Sequence, residues 1–425
     1  MVALGSLTIE EPCYGTSATA VSRTSEKQPK YIRITDFDDY GIEADHEFMT
    51  VNSYSEKHLL KPKDILFART GGTVGKTYFY DGMIGEAVFA GYCIRFRFNE
   101  NKVDPKYVYW YTKTDVYQKW VKGIQRPSGQ PNINKEEYKT FKIVLPEKGI
   151  QENFRNRMDN AFKERKKKLE QAEELLKIAK QNVFSEVGIT FSEYAPSLFH
   201  FSRLKDMREM GINCNPHSAY LSDVFSSFRM SKYYAGNLED FVEVNPIINK
   251  KELNSKSIVS FVPMPAVREK INSVTYQLKE FQEVRTGFTA FQKNDLLWAK
   301  ITPCMQNGKS FLSSDMPTEY GFGSTEFHVL RQKSSNIYLP YLWILLSEEH
   351  VLEAAQGMFC GSAGQQRVPD IFLKKFPVVL PPFQMQRQLA DEVFRVLNLS
   401  KRIREDAEQE WQASKAQFET ELLGN

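Results

Sequence analysis

Short apolar runs bounded by turn formers fill most of the chain, interrupted by two long stretches of helical periodicity. Residues 31–35, 65–69 and 92–98 are rich in β-branched and aromatic side chains and are flanked by Gly, Asp and Pro, which predicts short strands. Residues 107–120 read as a short helix. Residues 123–134 read as a polar loop holding Pro127, Gly129 and Pro131, and 141–145 as a buried strand closed by Pro146. From 150 to 184 the pattern changes. Gly and Pro vanish, and Phe162, Leu169, Leu176 and Val183 recur every seven residues. Met158, Ala172 and Ala179 fill the complementary positions, with Arg165 as the polar break. A helix of that length spans about 52 Å. Residues 188–381 return to the mixed pattern, and Pro381-Pro382 then opens a second helix, a favourable start for proline. Its stripe is Val393, Val396, Ser400, Ile403, Ala407, Trp411, Ser414 and Phe418, spaced to lie on one face.

The chain says much the same thing twice. Tyr31-Ile32-Arg33-Ile34 returns as Phe261-Val262-Pro263-Met264, and Asp64-Ile65-Leu66-Phe67-Ala68-Arg69 as Asp295-Leu296-Leu297-Trp298-Ala299-Lys300. Gly129-Gln130 returns as Gly364-Gln365, and the step to Leu145-Pro146 as the step to Leu380-Pro381. Each copy runs into a charged helix. The pattern predicts an α+β protein: two pseudo-symmetric α/β domains, 1–146 and 188–381, separated by two long antiparallel coiled-coil helices, 147–187 and 382–425. The helices pack on each other through Phe162, Leu169, Leu176 and Val183 on one and Val396, Ile403, Ala407, Trp411 and Phe418 on the other, with an α/β unit near either end. A pseudo-dimer of this kind suits a target that itself has two halves.

At 425 residues there is room for two sizeable cores, and 41% hydrophobic and 13% aromatic content mark a folded protein. Net charge is only +3, with no strongly basic segment, so any nucleic-acid binding must come from local faces. Five cysteines, an odd number without a Cys-x-x-Cys pair, point to reduced thiols in a cytoplasm and away from disulfides or a zinc cluster. No basic-then-apolar leader opens the chain, and no apolar run is long enough to span a bilayer.

The usual routes to catalysis are missing. Thr70-Gly71-Gly72-Thr73-Val74-Gly75-Lys76-Thr77 resembles a phosphate-binding loop, but Thr70 stands at its first glycine position, and Tyr78-Phe79-Tyr80-Asp81-Gly82 reads as strand and turn. A phosphate loop needs a helix there. The bland reading is a hairpin loop; the functional one is a loop whose backbone and Lys76 meet a DNA phosphate. Asn245-Pro246-Ile247 and Asn215-Pro216-His217 fail as methyltransferase tetrads, and Pro369-Asp370 lacks the downstream acid-x-Lys of a nuclease. The six histidines show no ligand spacing. No catalytic residue and no metal site is expected. The remaining candidates are paired polar loops: Arg126-Pro127-Ser128-Gly129-Gln130-Pro131-Asn132 and Ser362-Ala363-Gly364-Gln365-Gln366-Arg367. Arg, Gln and Asn are the side chains that read guanine and adenine edges. Ordinary solvent-facing loops are the competing reading, and a coiled-coil scaffold would leave the pairing unexplained.

The order of repeat, helix, repeat, helix resembles the specificity subunit of type I restriction-modification systems, over essentially the whole chain. The local words agree: Tyr14-Gly15-Thr16-Ser17, Tyr31-Ile32-Arg33-Ile34-Thr35-Asp36, Ile301-Thr302-Pro303-Cys304-Met305-Gln306-Asn307-Gly308-Lys309, and the two Leu-Pro steps. The resemblance implies that each α/β unit is a target-recognition domain and that the helices separate them and dock two methyltransferase subunits, joined by restriction/translocase subunits. It implies a cytoplasmic, non-catalytic reader of a bipartite, asymmetric site in double-stranded DNA. S-adenosylmethionine, ATP and Mg are expected in the partners and none in this chain. Within that frame Arg69, Lys76, Lys300 and Lys309 are expected at phosphates. Arg126, Gln130, Asn132, Gln365, Gln366 and Arg367 are expected at bases or grooves, and Thr73, Ser128, Thr302, Gln306 and Asn307 are further candidates for DNA contact. The alternatives are the specificity subunit of a type II system with a fused methylase-nuclease partner and, more remotely, a self-sufficient nuclease or methyltransferase.

Overall fold

A computed structural model of the chain describes residues 1–38, 41–42, 46–125, 131–191, 218–362 and 365–424. They form two compact units, Met1–Glu170 with Ile403–Asn425, and Gln171–Arg402.

The two units share one topology. In the first, a four-stranded antiparallel sheet has the order Cys13–Tyr14, Cys93–Phe96, Ile65–Ala68, Thr77–Phe79. In the second, the order is Val242–Val244, Phe327–Gln332, Leu296–Ala299, Ser310–Leu312. Beside each sheet lies a parallel pair, Lys30–Ile32 with Ala87–Phe89 and Ile258–Val262 with Tyr320–Gly323. The second unit widens that pair with Gln277–Glu280 and Thr289–Gln292, which accounts for part of its greater length. The repeated words are therefore repeated strands.

Buried polar groups recur along with the strands. Asp64 is fully buried, accepts the Lys61 amide at 2.8 Å and takes both arms of Arg97 at 2.7 Å. Asp295 does the same with the Gln292 amide at 2.7 Å and with Arg331 at 2.8 and 2.6 Å. A carboxylate in an apolar interior is tolerable only with such partners. Each Leu-Pro step is likewise locked by a buried glutamine one helical turn on. Gln151 donates to the Pro146 carbonyl at 2.7 Å and accepts the Asp104 amide at 2.8 Å. Gln386 donates to the Pro381 carbonyl and accepts the Tyr338 amide, both at 2.9 Å.

The two long helices are Lys148–Glu186 and Phe383–Leu423, 39 and 41 residues, so each runs for about 60 Å. In the first unit they lie antiparallel. Arg157 pairs with Glu421, Arg165 with Glu408 and Lys168 with Glu410, and Phe162 meets Trp411 edge-on at 5.7 Å. In the second, Ser400 Oγ donates to the Ala172 carbonyl at 2.8 Å, and Leu176, Val183, Val393 and Val396 share one core. Of the expected stripe, Leu176, Val183, Val396, Ala407, Trp411 and Phe418 are buried, while Phe162, Leu169 and Ile403 are half-buried. Within the basic run Lys163-Glu164-Arg165-Lys166-Lys167-Lys168 of the first helix, Arg165 and Lys168 are matched by acids of the second helix.

The single helix expected over 107–120 is two, Pro105–Tyr111 and Asp115–Ile124. Thr114 caps the second by accepting the Tyr117 amide, and Lys113 turns inward to donate to the Thr77 carbonyl at 3.0 Å. An aromatic-rich run conceals that break.

The repeated ion pair yields a prediction. Asp295→Ala leaves Arg331, whose side chain is only 24% exposed, without its carboxylate. The expected cost is about 3 kcal/mol in chemical denaturation of the second unit, at the low end for a broken buried pair. A change below half of that would mean solvent replaces the carboxylate.

Candidate nucleic-acid interface

Where the central strand of each sheet ends, a second loop far along the chain is sewn to it by backbone bonds. In the first unit the Arg69 carbonyl accepts the Ile133 amide at 2.8 Å, and the Gly71 amide donates to the Pro131 carbonyl at 3.0 Å. In the second, the Lys300 carbonyl accepts the Val368 amide and the Thr302 amide donates to the Gln366 carbonyl, both at 2.9 Å. The described C-terminal parts of the polar loops singled out from sequence are therefore joined, in each unit, to the loop that follows the central strand.

The hairpin beneath each surface closes in the same way. The Ala68 amide donates to the Lys76 carbonyl at 2.9 Å and the Ala299 amide to the Lys309 carbonyl at 3.0 Å. The preceding glycines, Gly75 and Gly308, both take positive φ, +88° and +68°. At Gly75 a Cβ would stand 2.6 Å from Val121. The Thr70–Thr77 segment is a hairpin, with a 3-10 turn Gly71–Thr73 leading to the strand Thr77–Phe79, and no helix follows it.

On this shared frame the side chains differ. In the first unit the Arg69 guanidinium lies over the Tyr14 ring at 4.7 Å and its Nε donates to the Asn132 amide oxygen at 3.4 Å. Asn132 is exposed and Thr73 and Lys76 are half-exposed beside it. Arg126, Ser128 and Gln130 lie outside the described residues. In the second unit Thr302 Oγ1 accepts the Gln366 amide at 3.2 Å, so this hydroxyl helps hold the loop. Gln306 bonds Gln356 at 2.8 Å and Asn307 bonds Glu269 at 2.9 Å. Gln365 is exposed.

Arg367 is more constrained than its sequence implies. Its guanidinium makes a fork on Glu326, at 2.8 and 2.7 Å, and donates a third bond to the Gln365 carbonyl at 2.9 Å. That guanidinium holds the Glu326 carboxyl below the usual carboxylate range. Arg367 thus shapes the loop that carries Gln365 and Gln366.

Sequence reasoning missed Tyr14, Glu326, His328 and Asn245. His328 is buried, with Nε2 2.9 Å from the Val368 carbonyl and Nδ1 3.1 Å from the Asn245 amide nitrogen. Asn245 Oδ1 already accepts the Val329 amide, so its nitrogen is the donor, Nδ1 the acceptor, and Nε2 carries the proton. Burial holds this imidazole below its ordinary 6.5. Only the Tyr14-Gly15 word hinted at any of the four.

A profile described as the type I restriction modification DNA specificity domain matches residues 24–174 and 230–409. The chain is 32% identical over 188 residues to the type I restriction enzyme EcoAI specificity subunit of Escherichia coli, 44% of this chain and 31% of that protein. It is 33% identical over 163 residues to the EcoEI specificity subunit of the same organism, 38% of this chain and 27% of the relative. The match thus spans about a third or less of the curated relatives' length. A solved structure from work on complex assembly and conformational transition of the type I R-M system shares the fold at 12% identity. Its TM-score is 0.53, covering 99% of this chain and 96% of that one.

The neutral His328 predicts a pH dependence. With a folded pKa below the unfolded 6.5, its contribution is full above 6.5 and is lost as pH falls through the lower folded value, because the unfolded chain protonates first. Melting temperature should fall more steeply, as pH drops below 6.5, for the native chain than for His328→Phe. Parallel curves would count against a buried neutral imidazole.

Proposed function

This chain belongs to the type I restriction modification DNA specificity family, and from that premise we propose that it reads a two-part DNA site for a methylating and restricting complex without catalysing either reaction. The observation that carries the reading is the doubled surface: one backbone frame, built twice, bearing different side chains. Two copies of one frame with different polar groups suit a site with two unlike halves. The recognition domains are 1–146 and 188–381, and the helices 147–187 and 382–425 are the spacers between them.

Arg69, Thr73, Lys76, Lys300 and Lys309 meet phosphates, which set position and affinity. Asn132, Gln365 and Gln366, with Arg126, Ser128 and Gln130, meet base edges or grooves. Thr302, Gln306, Asn307 and Arg367 shape the second loop and add groove contacts. Double-stranded DNA, two methyltransferase subunits and restriction subunits are the partners, in a cytoplasm. The partners supply S-adenosylmethionine, ATP and Mg, and the target adenine must leave the stack to be methylated. Both curated relatives are type I subunits, which favours this over a type II arrangement with a fused partner.

The decisive experiment compares adenine methylation across the host genome with and without this gene. Loss of one motif made of two short parts and a fixed gap is expected; an unchanged methylome counts against the reading. Gln365→Ala should relax one half-site only, by about 1–3 kcal/mol of discrimination. Uniform weakening on all sequences would instead mark a phosphate contact. Lengthening the Lys148–Glu186 helix by one turn should change the gap, about one DNA turn between half-site centres, and leave both half-sites as they were. An altered half-site would refute the spacer role.

A further inference from the structure

The turn after the strand Val242–Val244 carries a side chain that the fold does not use. Pro246 and Ile248 are buried, and Ile247 between them is 96% exposed. Leaving a whole isoleucine in water is unfavourable, and a β-branched side chain is stiff, with little rotamer freedom to lose on contact. The turn is anchored at its first residue. Asn245 takes φ +56°, its amide donates to the Val329 carbonyl at 2.7 Å, and its side chain bonds both Val329 and His328. Isolated exposed apolar residues are common; this one stands between two buried neighbours, directly after the anchored Asn245.

Its position is the second observation. Val242–Val244 and Leu296–Ala299 both run antiparallel to Phe327–Gln332, so they point the same way; Val244 is level with Leu296, opposite Leu330, and the turn after it faces the end at which Leu296–Ala299 finishes. That is the end where Lys300 and Val368 join the reading loops. His328 grips Asn245 with one ring nitrogen and the Val368 carbonyl with the other, tying turn and loop together. Lys250 and Lys251 come soon after, and Lys251 is exposed. Met83 in the first unit is 88% exposed but comes after Thr77–Phe79, at the end of its sheet away from Arg69. It is not placed to do the same.

We propose that Ile247 is an apolar wedge that enters the base stack of duplex DNA at or beside the half-site read by the second unit and partly unstacks one step. Aliphatic side chains set between base steps open them in this way, and the adjacent lysines offer charge to the flanking phosphates. The inference rests on the DNA-reading function above. It adds a contact that senses how easily a step opens, so pyrimidine–purine steps would be favoured there.

The test uses the full chain in complex with its methyltransferase partner. The probe is a duplex bearing the motif whose methylation depends on this gene, with 2-aminopurine placed at each step in turn. The native complex should raise fluorescence at one step near the second unit's half-site, apart from any rise at the target adenine. Ile247→Ala should abolish that rise and weaken binding by about tenfold, while Ile247→Leu keeps both and the target-adenine signal persists in all three. Unchanged fluorescence and affinity in Ile247→Ala overturn the wedge, as does loss of the partner chain with DNA binding intact, which would make Ile247 a protein contact. An intact native complex that binds the motif no better than random duplex overturns the DNA-reading function itself, and the two failures are told apart by that control.

Discussion

In each unit the carbonyl that ends the central strand, of Arg69 or Lys300, accepts an amide from a residue more than sixty positions later. With the second backbone bond of each unit, from Gly71 to Pro131 or from Thr302 to Gln366, this bond joins loops that are far apart along the chain. Because the part of the clasp common to both units is made of backbone groups, it does not dictate which side chains the frame displays. The same frame can therefore carry a cation on an aromatic ring with an amide in one unit, and two glutamines steered by an Arg–Glu fork in the other. Buried anchors keep the frame constant while its face varies. The pairs Asp64–Arg97 and Asp295–Arg331 brace the sheet, and Gln151 and Gln386 fix the angle at which each long helix leaves its domain.

Much of this was legible in the residues, for physical reasons that can be named. The long helices announce themselves because a heptad stripe sustained over many turns has no other stable reading. The repeated Asp-then-apolar word encodes two requirements at once, a buried acid and a buried strand, so it survives in both copies. The pairing of the polar loops was visible because position along the repeat stands in for position in space.

The illegible part came from partners that sequence spacing cannot bring together. Glu326 lies 41 residues from the arginine it restrains, and His328 lies 83 from Asn245. Neither has a local signature, and a lone histidine among six reads as a surface residue. The break after Tyr111 was hidden because Thr114, a helix cap, sits inside a run whose aromatic spacing suits one continuous helix.

The core of the first unit includes Trp411 and Phe418, packed against Tyr107, Trp110 and Phe154. These two side chains are made long after the rest of that core. During synthesis the unit that emerges first must wait, with its aromatic cluster half-covered, until the second unit has been translated. At roughly 5–20 residues per second that wait is tens of seconds. Such an interval exposes the nascent chain to chaperones and proteases, and it makes any premature stop within the last helix a lesion of the first domain.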